Sequence, residues 1–127
     1  MSLVQVHEGL SRACVLFSLV IGLYGLWRFF RKEGVGANFW SILAAGELLY
    51  VAQGIVGGLL FLGGARLARP AVHILYGVLM VIVLPATFAY LRGRDERREA
   101  LIYGLMGLFL AGVALRAIVT ATALPGG

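Results

Sequence analysis

The chain alternates four long apolar segments with short polar connections that carry most of its arginines. The apolar segments cover residues 3–30, 39–62, 70–91 and 100–124 of the 127-residue sequence. A helix of about 20 apolar residues crosses the hydrocarbon core of a bilayer, and each segment reaches that length. Every backbone group in a bilayer needs an internal partner, and the short alternating segments of a barrel do not occur in this sequence. The pattern predicts an all-α, polytopic membrane protein.

The short connections predict that consecutive helices are antiparallel neighbours in one up-down-up-down four-helix bundle. The whole chain, 1–127, is then a single membrane domain. Its composition agrees, because 61% of the residues are hydrophobic and only 13% are charged, against roughly 25% charged in soluble domains. Ser2 and Gln5 have the spacing of a capping box, which predicts that the first helix begins near Leu3.

Basic residues predict the orientation, because short cytoplasmic loops retain more lysine and arginine than translocated loops. The first and third connections carry more of them than the middle one, which has Arg66 and Arg69. We therefore expect both termini on the non-cytoplasmic side. The net charge of +5 follows from this topology and favours anionic lipid as a neighbour. We do not expect nucleic acid as a partner.

Two histidines occupy matching positions in the first and third segments. Val6-His7 and Val72-His73 lie near the starts of these segments, and Arg28 and Arg92 lie near their ends. This similarity indicates a faint tandem repeat of two helix pairs. By helical rise, both imidazoles should lie roughly 5 to 6 Å inside the same end of the bundle. The first and third helices of such a bundle are diagonal, so the two rings should face each other.

Two imidazoles facing each other at one depth can bind a haem iron from opposite sides. Small residues on the same face as His7, and one turn after His73, would leave room for the macrocycle: Ser11, Cys14, Ser18, Gly22, Gly25 and Gly77. Arginines near that end could pair with the carboxylates of the ring: Arg12, Arg66 and Arg69. The pattern thus predicts a haem b site with His7 and His73 as iron ligands, and no other cofactor.

The same residues allow other interpretations. Small residues on membrane helices also permit close helix packing, and histidines near helix ends also titrate in the interface without binding anything. His7, Glu8 and His73 together could form a copper or zinc site. These alternatives remain open at the level of the sequence.

A second polar group lies deeper in the predicted bundle and consists of Glu47, Gln53 and Arg116. Ionisable side chains at such depth are costly and usually face protein or water. One interpretation is a structural ion pair between Glu47 and Arg116, extended through Gln53. A second is a proton or quinone site at Glu47. A third is that Arg116 faces lipid and extends its side chain toward the interface.

The four-helix plan, with His7 and His73 on different helices, resembles the small membrane-anchor subunits and b-type cytochromes of respiratory complexes. That resemblance implies haem b between the histidines, electron exchange with a quinone or a redox protein, and association with other membrane subunits. The short chain and Glu47 also resemble small multidrug-resistance transporters, although the acid of that family is in the first helix.

Three functional hypotheses follow. The first is a subunit or partner of a membrane complex with a bis-histidine haem b for electron transfer. The second is a purely structural accessory subunit without a cofactor, which assembles with itself or other subunits through glycine faces. The third is a small proton-coupled transporter that uses Glu47. The sequence has no catalytic triad or phosphate-binding loop, so we do not expect an enzyme acting by itself.

Overall fold

The computed structural model describes residues 2–64 and 70–122, which form four helices. These are α1 (Leu3–Phe30), α2 (Gly36–Leu62), α3 (Pro70–Leu91) and α4 (Arg97–Thr122). The predicted all-α class with four helices is confirmed. Both α2 and α4 begin three residues earlier than predicted, because polar first turns extend these helices beyond their apolar stretches. The capping box of Ser2 and Gln5 at the start of α1 is also present.

The helices form a four-membered ring in chain order. Helix α1 packs against α2 and α4, and α3 packs against the same two helices. Accordingly, α1 and α3 lie on one diagonal, and α2 and α4 lie on the other. The contact between α1 and α4 is the most extensive, and that between α2 and α3 is the sparsest. The bundle is therefore tight on one side and loosely packed on the opposite side.

Glycines explain why α1 and α4 pack so closely. A Cβ atom built on Gly25 would lie only 2.5 Å from the Cα atom of Gly104, and one built on Gly107 would lie 2.6 Å from the backbone nitrogen of Gly22. Only residues without side chains allow the two backbones to approach this far. Gly104 and Gly107 of α4 therefore pack inside the bundle.

The outer surface of the bundle is largely apolar. Large side chains such as Leu16 and Leu48 are 65% and 71% exposed, which is costly in water but favourable against lipid. All four helices are long and apolar enough to cross a membrane. The chain is thus a small membrane protein with a helical bundle as its membrane domain.

The two ends of the bundle differ in chemistry. One end, which we call the arginine end, holds the connections 31–35 and 92–96. Here the Val35 amide donates to the Asp95 carbonyl at 2.9 Å, and Arg97 Nε donates to the Phe29 carbonyl at 2.7 Å. These bonds join the two connections. The opposite end, which we call the histidine end, contains the start of α1, the end of α2 and the start of α3.

Candidate functional site

His7 and His73 face each other across the histidine end of the bundle. Their ring centroids are 6.3 Å apart, and the ring planes make an angle of 67°. The two residues come from the diagonal helices α1 and α3, and each lies within the first two turns of its helix. The structure thus brings together the two histidines that the sequence predicted to lie at one depth.

The histidines line a cavity of about 1040 Å³ to which all four helices contribute. Its walls are mainly apolar, and four glycines widen it: Gly54, Gly57, Gly58 and Gly77. A Cβ atom on Gly77 or Gly58 would meet nothing within 4 Å, and one on Gly57 would lie 3.0 Å from His7 Cε1. These glycines leave space between α2 and α3, whereas Gly25 of α1 and Gly104 of α4 bring helices together.

A backbone carbonyl orients the ring of His73. The Nδ1 atom of His73 lies 2.9 Å from the carbonyl oxygen of Ala117 on α4. A carbonyl only accepts, so Nδ1 of His73 is the donor in this hydrogen bond. Metal-binding histidines usually donate their other ring nitrogen in this way, which fixes the tautomer and the direction of the ring.

Gln53 links α2 to the first turns of α1 beside the other histidine. Its Nε2 atom donates to the backbone carbonyl of His7 at 3.0 Å. The side chains of His7 and Gln53 also interact with each other, although within residues 2–64 and 70–122 neither His7 Nδ1 nor Gln53 Oε1 has a partner at full hydrogen-bond geometry. Gln53 is thus a polar neighbour of both the backbone and the side chain of His7.

The small residues below His7 divide into two groups. Ser11 and Cys14 line the cavity, as predicted for residues that make room for a ligand. Gly22 and Gly25 instead contact α4, as the packing interpretation predicted. Between the groups, the hydroxyls of Ser18 and Tyr50 form a buried hydrogen bond of 2.6 Å, which closes the bundle below the cavity.

Of the three arginines predicted to pair with haem carboxylates, Arg12 lines the cavity. Its side chain is exposed and sits at the cavity rim. Arg66 and Arg69 lie outside the described residues, and their proposed role stays a prediction.

The copper or zinc interpretation fails on geometry. Glu8 lines the cavity with both histidines, but no three His, Cys, Asp or Glu side chains among the described residues are grouped closely enough to hold a metal ion. A haem iron needs only two protein ligands, so the lack of a third ligand does not count against the haem interpretation.

The expected ion pair between Glu47 and Arg116 is not formed. Helices α2 and α4 are diagonal, Arg116 is exposed, and none of the ion pairs between described residues involves either side chain. Gln53 contacts His7 instead of extending such a pair. The prediction failed because Glu47 is 11 residues from the start of α2 and Arg116 is 19 residues from the start of α4, a difference in depth of about 12 Å by helical rise.

Glu47 lies in a second, smaller cavity between α2 and α3, together with Tyr103 from α4. Nothing in the sequence marks Tyr103, Trp40 or Tyr50 as site residues, because aromatic residues are common in membrane helices. The position of Tyr103 one residue before Gly104 could have drawn attention to it, since a side chain next to a close helix contact is readily buried. Tyr103 and Tyr50 are both 1% exposed.

Comparison with protein families, with curated proteins and with solved structures finds no match. The function of the chain must therefore be inferred from its own geometry.

Proposed function

We propose that the protein binds one haem b between His7 and His73 and carries electrons within a membrane complex. The observation that carries the proposal is the 6.3 Å separation of the two ring centroids inside a cavity of about 1040 Å³. Pockets for small molecules and cofactors usually measure about 300 to 1,000 Å³, so the volume is sufficient.

The separation of the rings matches the requirement of a six-coordinate iron. A metal–imidazole bond is about 2 Å long and the ring centroid lies about 1 Å beyond the bonding nitrogen, so two axial imidazoles have centroids roughly 6 to 6.5 Å apart. The observed distance falls in this range. If the two imidazole rings only packed against each other, no cavity of this size would be needed beside them.

The surroundings of the histidines also support ligation. The carbonyl of Ala117 accepts a hydrogen bond from Nδ1 of His73, which holds the ring at the cavity wall. Gln53 holds the backbone at His7, and this restricts the position of the second ligand. Such fixed partners orient the rings before a metal binds. The apolar walls would exclude water from the iron.

Haem b would supply a centre that accepts and releases one electron at a time. The residues of the chain would position it: the histidines bind the iron, the glycines of α2 and α3 admit the ring, and Arg12 at the rim pairs with a carboxylate. The exposed apolar surface and this role suggest a subunit or partner of a larger membrane complex. By the distribution of basic residues, the histidine end would face the non-cytoplasmic side.

The test is haem quantification with reduced-minus-oxidised visible spectra of the gently purified protein. We expect about one haem per chain with a low-spin b-type spectrum. His7→Ala and His73→Ala should each abolish that spectrum while the protein still inserts in the membrane.

Ser11→Ala is a suitable control, because Ser11 lines the same cavity and donates only to the Glu8 carbonyl of its own helix at 2.6 Å. Its haem content should equal that of the unchanged protein. Normal haem content in both histidine variants would exclude this ligation. Absence of pigment from the gently isolated, unchanged protein would favour the structural accessory subunit.

A further inference from the structure

The smaller cavity between α2 and α3 lies nearer the arginine end. It has a volume of about 250 Å³ and is lined by Trp40, Leu43, Ala44, Glu47, Leu84, Pro85, Phe88 and Tyr103. The ring of Trp40 contacts those of Phe88 and Tyr103 edge to face, at centroid distances of 5.7 and 5.5 Å. Trp40 therefore joins the rings of Phe88 and Tyr103 into one aromatic part of the cavity wall.

Two polar atoms of this cavity's lining residues have no hydrogen-bond partner. The buried atoms Glu47 Oε1 and Tyr103 OH are both unpaired among the residues that the structure describes. Glu47 also lacks a cation partner there, so its neutral, protonated form is the cheaper one at this depth. The tyrosine hydroxyl and the protonated carboxyl can each donate a hydrogen bond. The cavity thus suits a ligand with acceptor oxygens.

The cavity is open toward the lipid. It lies at the sparsest helix contact of the bundle, and its lining residues Ala44, Pro85 and Phe88 are exposed on the bundle surface. A ligand dissolved in the bilayer could enter sideways between α2 and α3. No arginine or lysine lines the cavity, so nothing there would balance the phosphate of a phospholipid.

We propose that this cavity binds the head group of a membrane quinone. The quinone ring is flat, uncharged and lipid-soluble, and its carbonyl oxygens only accept hydrogen bonds. A volume of about 250 Å³ is suited to a single ring, because drug-sized ligands need about 300 Å³ or more. The isoprenoid tail would then extend between α2 and α3 into the bilayer.

The site is adjacent to the histidine cavity but does not depend on it. Met80 lines the larger cavity and Leu84 the smaller one, a separation of one turn, or about 6 Å, along α3. A ring bound here would be close to a haem bound between the histidines. Quinone binding itself requires only Glu47, Tyr103 and the aromatic wall.

The two tryptophans of the chain provide a direct test. Trp40 lines the cavity, whereas Trp27 lies near the arginine end of α1, half exposed, beside Tyr24 and Arg31. Trp27→Phe leaves Trp40 as the only tryptophan, and Trp40→Phe leaves Trp27. Each variant is placed in lipid nanodiscs and titrated with decylubiquinone and, separately, with a short-chain menaquinone, while fluorescence is recorded.

We expect saturable quenching of Trp40 by at least one of the two quinones, and only weak, linear quenching of Trp27. In the Trp27→Phe background, Tyr103→Phe and Glu47→Leu should each weaken the apparent affinity about three- to tenfold, the effect of losing one hydrogen bond. Glu47→Gln keeps a donor and should change the affinity less than about twofold. The exposed Tyr90, 82% accessible, provides the control Tyr90→Phe, which should have no effect.

Linear quenching of both tryptophans, unchanged by the Tyr103 and Glu47 variants, would overturn the proposal. Loss of binding in Glu47→Gln would overturn it too, because a cationic ligand requires the ionised carboxylate and a quinone does not. Adding His73→Ala separates this proposal from the haem proposal. Saturable quenching of Trp40 should persist in that variant whether or not the protein contains haem.

Discussion

Replacement of Gly25 by alanine should destabilise the bundle, because the methyl group would point into the backbone of α4. A Cβ atom on Gly25 would lie 2.5 Å from Gly104 Cα and 2.8 Å from both the Ala100 carbonyl oxygen and the Gly104 nitrogen, whereas ordinary contacts begin at 3.4 Å. All three neighbours are backbone atoms and cannot rotate away. The two helices must therefore separate locally by about 1 Å, or the methyl group must remain compressed.

The size of the effect follows from two opposing contributions. Overpacking of a tight interior usually costs about 1 to 3 kcal/mol, and the backbone contacts at Gly25 favour the upper part of that range. Alanine in place of glycine inside a helix contributes up to about 1 kcal/mol in the other direction. The free energy of unfolding should therefore fall by about 2 kcal/mol in Gly25→Ala.

Gly9→Ala is the matched control on the same helix, because a Cβ atom there would meet nothing within 4 Å. That variant should be as stable as the unchanged protein, or up to about 1 kcal/mol more stable. Unfolding by sodium dodecyl sulfate in mixed micelles, followed by circular dichroism, measures both variants. If the two free energies of unfolding agree within about 0.5 kcal/mol, the close packing of α1 against α4 through Gly25 is refuted.

Two further predictions concern the cavity and the layer beneath it. Gly77→Leu adds a side chain inside the histidine cavity and should reduce the haem content per chain several-fold. Gly112→Leu is the control and should not reduce it, because Gly112 is exposed and a Cβ atom there would meet nothing within 4 Å. Equal haem content in the two variants would mean that Gly77 is not part of the site. Tyr50→Phe breaks the buried 2.6 Å hydrogen bond to Ser18 and should lower the free energy of unfolding by about 1 kcal/mol, measured in the same micelles. An unchanged unfolding curve would mean that this bond contributes no net stability.

Much of the fold follows from local features of the sequence. Apolar segments of membrane-spanning length predicted four helices, and the bounds of α1 and α3 agree with the predicted ones. The earlier starts of α2 and α4 were missed, because a polar first turn is helical without being apolar. Short connections limit which helices can be neighbours, so the diagonal placement of His7 and His73 was also predictable.

The direction of side chains around each helix was not predictable in the same way. Glu47 and Arg116 differ in depth by about 12 Å by helical rise, their helices are diagonal, and the pair is not formed. Only the packing of all four helices decides which neighbour a side chain meets. The same holds for Tyr103, whose buried ring contacts Phe39 and Trp40 of α2 and lines the cavity of Glu47.

The sequence by itself determined the membrane location, the number of helices and the pairing of two histidines at one depth, because these depend on composition and on residue spacing along a helix. The tertiary structure decided what the glycines do. Gly22 and Gly25 of α1 and Gly104 and Gly107 of α4 lie where the backbones meet and close the interface, whereas Gly58 and Gly77 lie where α2 and α3 diverge and leave a cavity. In the sequence, the two groups of glycines look alike. Only the distance from each glycine to the neighbouring helix shows whether it closes an interface or lines a cavity.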